Sequence, residues 1–151
     1  MTNNKPRVLF LCTGNSCRSQ MAEGWAKHLR EGDLDAYSAG IVAHGQNPNA
    51  IQVMSEAGVD ISGQDSKTLQ SLLDQGIEFD VVYTVCGHAD ENCPVFPGRT
   101  RVVHQGFDDP PKLAADAATE DEALDHYRRV RDEIRAFVES LPAPASPDAG
   151  R

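Results

Sequence analysis

The sequence has no surplus of positive charge: 14 Lys and Arg stand against 23 Asp and Glu in 151 residues, a formal net charge of −9. That balance argues against nucleic acid and against an anionic membrane surface as partners. An anionic ligand would have to be drawn by local donors, because the overall field repels it. No apolar run approaches the roughly 20 residues needed to span a bilayer. The opening Met1-Thr2-Asn3-Asn4-Lys5-Pro6 has no apolar core that could act as a signal. A cytoplasmic location is expected, where stable disulfides are unusual. The four cysteines lack the paired two-residue gaps of a zinc site, so no metal site is expected. His28, His44, His88, His104 and His126 are scattered and read as surface or turn residues. There is no internal repeat and no linker, so residues 1–141 are expected to form one domain. From Pro142 the chain turns to Pro, Ala, Ser and Gly, and 142–151 is expected to be a disordered tail.

What is present alternates between two periods. Arg7–Leu11 reads as a buried strand and Ser19–Arg30 as a helix with Met21, Ala22, Trp25, Ala26 and Leu29 on one face. A strand follows at Asp35–Ala39, then a helix opened by Asn47-Pro48 and stopped by Gly58. A short helix is expected around Ser66–Asp74, a central strand at Phe79–Cys86 and a fourth strand at Arg101–His104. Gly87–Gly98 reads as a loop and Gly106–Pro111 as a rigid turn. The last helix starts at Thr119, which forms a capping box with Glu122. Strands alternating with helices imply a four-stranded parallel sheet covered on both faces, with ligands at the carboxyl ends of the strands.

Cys12 ends the first strand and is followed by Thr13-Gly14-Asn15-Ser16-Cys17-Arg18-Ser19. A strand-to-helix loop of that length can wrap successive backbone N–H groups around one tetrahedral oxyanion, with the helix pointing its positive end into the same space. Arg18 adds a charged planar fork suited to two oxygens of the anion. The same field favours the thiolate form of Cys12. Ser19 can donate to that thiolate or cap the helix, and Cys17 reads as loop scaffold. Cys12 and Cys86 both fall at carboxyl ends of strands, which puts two thiols on one rim of the sheet. The plainer alternative is a buried strand-end cysteine in an ordinary Gly turn, with Cys86 and Cys93 incidental.

The loop Cys12–Ser19 resembles the phosphate-binding loop of the low-molecular-weight protein tyrosine phosphatases. The run Cys12–Trp25 is more similar still to the thioredoxin-coupled arsenate reductases built on that fold. So are Tyr37-Ser38-Ala39-Gly40, Cys86 with Cys93-Pro94, Gly106–Pro110 and Arg129–Ile134. The resemblance extends from about Arg7 to Leu141. It implies a phosphatase-like fold and an arsenate reductase in which Cys12 attacks arsenic and Arg18 holds the anion. Asp108 and Asp109 are equal candidates for the general acid on residues alone; the resemblance favours Asp109. It also implies that Cys86 takes Cys12 into a disulfide and that Cys93 moves it outward to Cys86–Cys93 for thioredoxin to reduce. Seven extended residues would span roughly 25 Å, whereas a disulfide needs Cα atoms within about 7 Å. The segment between Cys86 and Cys93 must therefore fold back or refold.

Arsenate is then the expected substrate, with phosphate or sulfate as analogues, and the chain is read as a monomer with no tightly bound cofactor. Some relatives carry a potassium site near the loop. Asn15, Glu23 and Ser38 match it, but the fourth position falls on Lys67, whose ammonium could take the cation's place. Little specific potassium stimulation is expected. The main alternative is a tyrosine or small-molecule phosphatase using Cys12, Arg18 and Asp109. It leaves the other thiols unexplained, and Pro111-Lys112-Leu113 lacks the paired aromatics that grip a phosphotyrosine ring. A non-catalytic anion or arsenite sensor, and a glutathione-coupled reductase, are further alternatives.

Overall fold

The structure, a computed structural model, describes residues 5–86, 96 and 100–141. The apolar run after Arg7 forms β1 (Arg7–Cys12), in which every residue beyond Arg7 is buried. It pairs in parallel on one side with β2 (Asp35–Gly40) and on the other with β3 (Val81–Thr84). The outer strand β4 (Arg101–His104) pairs with β3, giving the order β2-β1-β3-β4. Burial of β1 beyond Arg7 and of all of β3 means that the centre of the sheet is covered on both faces, as a continuous apolar strand requires, whereas the outer strand β4 is largely exposed. The chain leaves β1 first toward β2 and later returns to β3 on the opposite side. This reversal opens a crevice at the carboxyl end of β1, where Cys12 stands.

The helices are α1 (Arg18–Leu29), α2 (Pro48–Glu56), α3 (Leu69–Asp74), α4 (Pro110–Ala114) and α5 (Glu120–Ser140). Leu124, Tyr127, Val130, Ile134 and Val138 bury the apolar stripe of α5, which packs on α1, α2 and α4. Trp25 of α1 is fully enclosed and donates Nε1 to the Arg131 carbonyl at 3.1 Å. No helix of the described residues is long and apolar enough to cross a membrane.

Several boundaries differ from expectation for local reasons. The helix expected from Ser66 begins at Leu69, because Thr68 is its cap and accepts from Ser71 N–H at 3.1 Å. The third strand is shorter than Phe79–Cys86, its ladder ending at Thr84. The Gly106–Pro111 turn runs into a short helix, α4, with Pro110 at the first position, where a missing N–H costs nothing. At the start of α5, Thr119 caps Glu122 N–H, but the Glu122 carboxylate reaches Ala118 N–H at 3.0 Å instead of closing on Thr119. Apart from Phe96, the expected loop Gly87–Gly98 lies almost wholly outside the described residues, Cys93 included, as does the expected tail from Pro142.

Candidate active site

Each carbonyl of residues 12–17 finds a donor as α1 begins. Ile41, Val42, His44 and Asn47 donate N–H to the carbonyls of Cys12, Thr13, Gly14 and Ser16 at 2.9–3.1 Å. Gln20 Nε2 serves Asn15 at 3.1 Å, and Met21 N–H serves Cys17 at 2.9 Å. Buried carbonyls need such partners; the segment 41–47 supplies most of them as a strap behind the loop. Among the described residues, no protein acceptor takes the N–H groups of Thr13, Gly14, Asn15, Ser16 or Cys17. Donors left over in this way at a helix N-terminus form a ready anion nest.

Two backbone positions make the nest. Asn15 has φ of 49°, a left-handed conformation that Asn tolerates better than most residues. Gly40 ends β2 directly against the loop. A Cβ there would lie 2.2 Å from the Val42 carbonyl oxygen and 2.7 Å from Asn15 N. Both are backbone atoms and cannot swing aside.

Cys12 Sγ is 2.9 Å from Ser19 Oγ, which sits inside α1 and caps nothing. The polar chain behind it has a fixed direction. Asn15 Oδ1 accepts from Lys67 N–H at 2.8 Å and from Gln20 at 3.1 Å, so Nδ2 faces Ser19 and Ser38, each at 2.9 Å. Ser38 donates to Glu23 Oε1. The Ser19 oxygen thus accepts from Asn15, and its own proton is available to a Cys12 thiolate, which can only accept. Glu23 is buried and carries two ammonium groups. Lys27 sits on Oε2, and Lys67 lies 3.6 Å from Oε1 while donating to the Asp65 carbonyl at 2.9 Å. The sequence reading missed Lys27, although its spacing of four residues from Glu23 is a readable helix-face signal. Among the described residues, no three His, Cys, Asp or Glu side chains are gathered closely enough to hold a metal ion.

Arg18 faces the segment before α4. Its NH1 donates to the Phe107 carbonyl at 2.9 Å and its NH2 lies 3.6 Å from Asp109 Oδ1. Asp108 points elsewhere, to Arg129 of α5 at 3.0 Å. Geometry therefore separates two carboxylates that are equivalent in sequence. Only Asp109 is turned to the anion nest.

Cys86 lies two residues past the last paired position of β3, on the strand beside β1, and its Sγ is 3.2 Å from Thr13 Oγ1. The residue after Cys12 thus touches the second thiol. Cys17 is also buried, at the N-cap of α1. Burial, and then the charge of Cys12, push its thiol well above the ordinary range, with Arg18 opposing them. It stays a neutral thiol. Cys12 and Cys17 form no disulfide.

A family model described as "Low molecular weight phosphotyrosine protein phosphatase" matches residues 7–145. The chain is 54% identical over 139 residues to an arsenate reductase of Halalkalibacterium halodurans, covering 91% of this chain and 96% of that protein. Among solved structures it is similar to an arsenate reductase in the phosphate binding state, with 34% identity and a TM-score of 0.67 over 89% of this chain and 94% of that one. It is also similar to a thioredoxin-dependent arsenate reductase of Corynebacterium glutamicum, with 26% identity and a TM-score of 0.65, over 93% of this chain and 63% of that one.

Proposed function

We propose, from the premise that this chain belongs to the low molecular weight phosphotyrosine protein phosphatase family, that it is an arsenate reductase working by a three-cysteine relay regenerated by thioredoxin. The observation that carries the relay is the contact between Cys86 and Thr13, 3.2 Å across the nest rim. Hydrolysis of a phosphoryl-cysteine needs only water at that point. A second thiol there serves a different second step.

Arsenate has the charge and shape of phosphate and sits in the nest against the loop N–H groups and Arg18. The Cys12 thiolate attacks arsenic, an As–O bond breaks, and Asp109 gives a proton so that water leaves. Cys86 then attacks the Cys12 sulfur. The S–As bond breaks with its electron pair going to arsenic, so arsenite leaves and a Cys12–Cys86 disulfide remains. Two electrons pass from two thiols to one arsenic. Cys93 attacks Cys86, frees Cys12 and forms Cys86–Cys93, which the thioredoxin dithiol reduces. The name of the Corynebacterium relative supports thioredoxin as the donor.

The test is arsenate-dependent NADPH oxidation with thioredoxin and its reductase, comparing wild type with Cys12→Ser, Cys86→Ser and Cys93→Ser. Each variant should lose turnover. Peptide mapping of Cys93→Ser after one arsenate equivalent should find the 12–86 bridge. Full turnover without Cys86 or Cys93 would eliminate the relay and leave the phosphatase chemistry of Cys12, Arg18 and Asp109 as the function.

A further inference from the structure

We infer that Arg129, on α5 and outside the anion nest, is a positioning residue for the general acid, acting through its ion pair with Asp108. The inference rests on the reading of Asp109 as that acid.

Asp109 makes no capping hydrogen bond, and its ionic neighbour among the described residues, Arg18, is 3.6 Å away. Its side chain is 42% exposed, so its aim depends on the backbone that carries it. That backbone is held firmly up to Phe107. The Phe107 N–H donates to the Val85 carbonyl at 3.2 Å, its own carbonyl accepts from Arg18 at 2.9 Å, and its ring meets Phe137 edge-on at 5.6 Å. Beyond Asp109, Pro110 begins α4. Between these fixed points the side chain held at hydrogen-bond distance among the described residues is Asp108, through Arg129 Nη2 at 3.0 Å, against the looser 3.6 Å of Asp109 to Arg18. Arg129 is steadied in turn by Glu133 at 2.8 Å, one turn along a helix whose neighbouring Val130 is fully buried. The pair also keeps the Asp108 carboxylate facing away from Arg18. An acid works only within about 2.6–3.2 Å of the leaving oxygen, so a small change of aim reaches the rate.

The experiment measures arsenite formation by wild type, Arg129→Ala, Arg129→Lys, Asp108→Asn, Asp109→Asn and the Arg129→Ala/Asp109→Asn double variant. For a pair this exposed, Arg129→Ala and Asp108→Asn should each lower kcat by about three- to fivefold. KM for arsenate should stay unchanged, and Arg129→Lys should recover part of the loss. The deficit should vanish in the Asp109→Asn background. Wild-type kcat in Arg129→Ala, a change confined to KM, or a full Arg129→Ala deficit on top of Asp109→Asn would overturn the assignment. If Arg129→Ala melts early, Asp108→Asn cuts the same pair from an exposed position and decides. Should wild type form no arsenite, the proposed function fails separately. The same set on aryl phosphates then reads the acid alone: the deficit should appear with a phenol leaving group and not with an acidic nitrophenol, and an equal deficit on both would overturn the inference.

Discussion

Ser19 Oγ stands 2.9 Å from Cys12 Sγ while Asn15 occupies the same oxygen from the other side at 2.9 Å. Toward a Cys12 thiolate, which can only accept, the hydroxyl is the donor. A hydrogen bond to a charged acceptor contributes about 1.5–3 kcal/mol, or tenfold and upward in rate. Ser19→Ala should therefore lower kcat/KM for arsenate by at least about tenfold and slow inactivation by iodoacetamide in parallel. Wild-type rates in both assays would remove Ser19 from the chemistry.

Lys67 and Lys27 together neutralise Glu23, so a monovalent cation has little left to offer there. Wild-type turnover should differ by less than about twofold between potassium and sodium at equal ionic strength, because the ammonium charge is already in place. Lys67→Gln should gain potassium dependence, since Ser38 and Glu23 then present oxygens beside one ammonium group, Lys27, instead of two. Strong potassium stimulation of the wild type would show that the lysine does not substitute for the ion.

Gly40→Ala tests the close approach of β2 to the nest. A Cβ 2.2 Å from the Val42 oxygen forces two backbone segments apart. Overpacking of this kind costs about 1–3 kcal/mol and sometimes more, which at this chain length lowers Tm by roughly 2–12 °C. The variant should also bind phosphate more weakly in calorimetry, because the strap and the loop move together. Unchanged Tm and phosphate affinity would mean that the strap is not rigid.

Cys17 gives a pH prediction. Its folded-state thiol titrates above the unfolded one, chiefly through burial and then through Cys12. A raised folded value contributes stability that is complete below the unfolded pKa of about 8.5 and is lost as pH rises above it. Unfolding free energy should therefore decline from about pH 8.5 upward, and Cys17→Ala should decline less steeply over the same range. Parallel curves in urea titrations would contradict the assignment. At neutral pH, alkylation should label Cys12 and spare Cys17.

The strands were legible because period and burial coincide: Val8–Leu11 and Val81–Val85 are apolar runs that only a covered parallel sheet accommodates. Arg101–His104 was read correctly, and the start of α5 followed from Thr119. The short helix at Pro110–Ala114 was missed because two prolines signal a turn as strongly as a helix start. The nest loop was visible as a motif, but its backing was not. The strap works through main-chain N–H groups of 41–47, and those leave no trace in side-chain identity. The choice between Asp108 and Asp109 was likewise hidden, since it depends on Arg129, 21 residues beyond Asp108.

A receptacle whose amides are organised during folding has little means of telling one tetrahedral guest from another. With its outer rim anchored to Ile41, Val42, His44 and Asn47, it cannot tighten around the shorter bonds of phosphate or relax around those of arsenate. Both should enter with similar affinity, and phosphate should compete. In the proposed relay, discrimination then falls to the later exchange at sulfur, where arsenic accepts an electron pair and phosphorus does not.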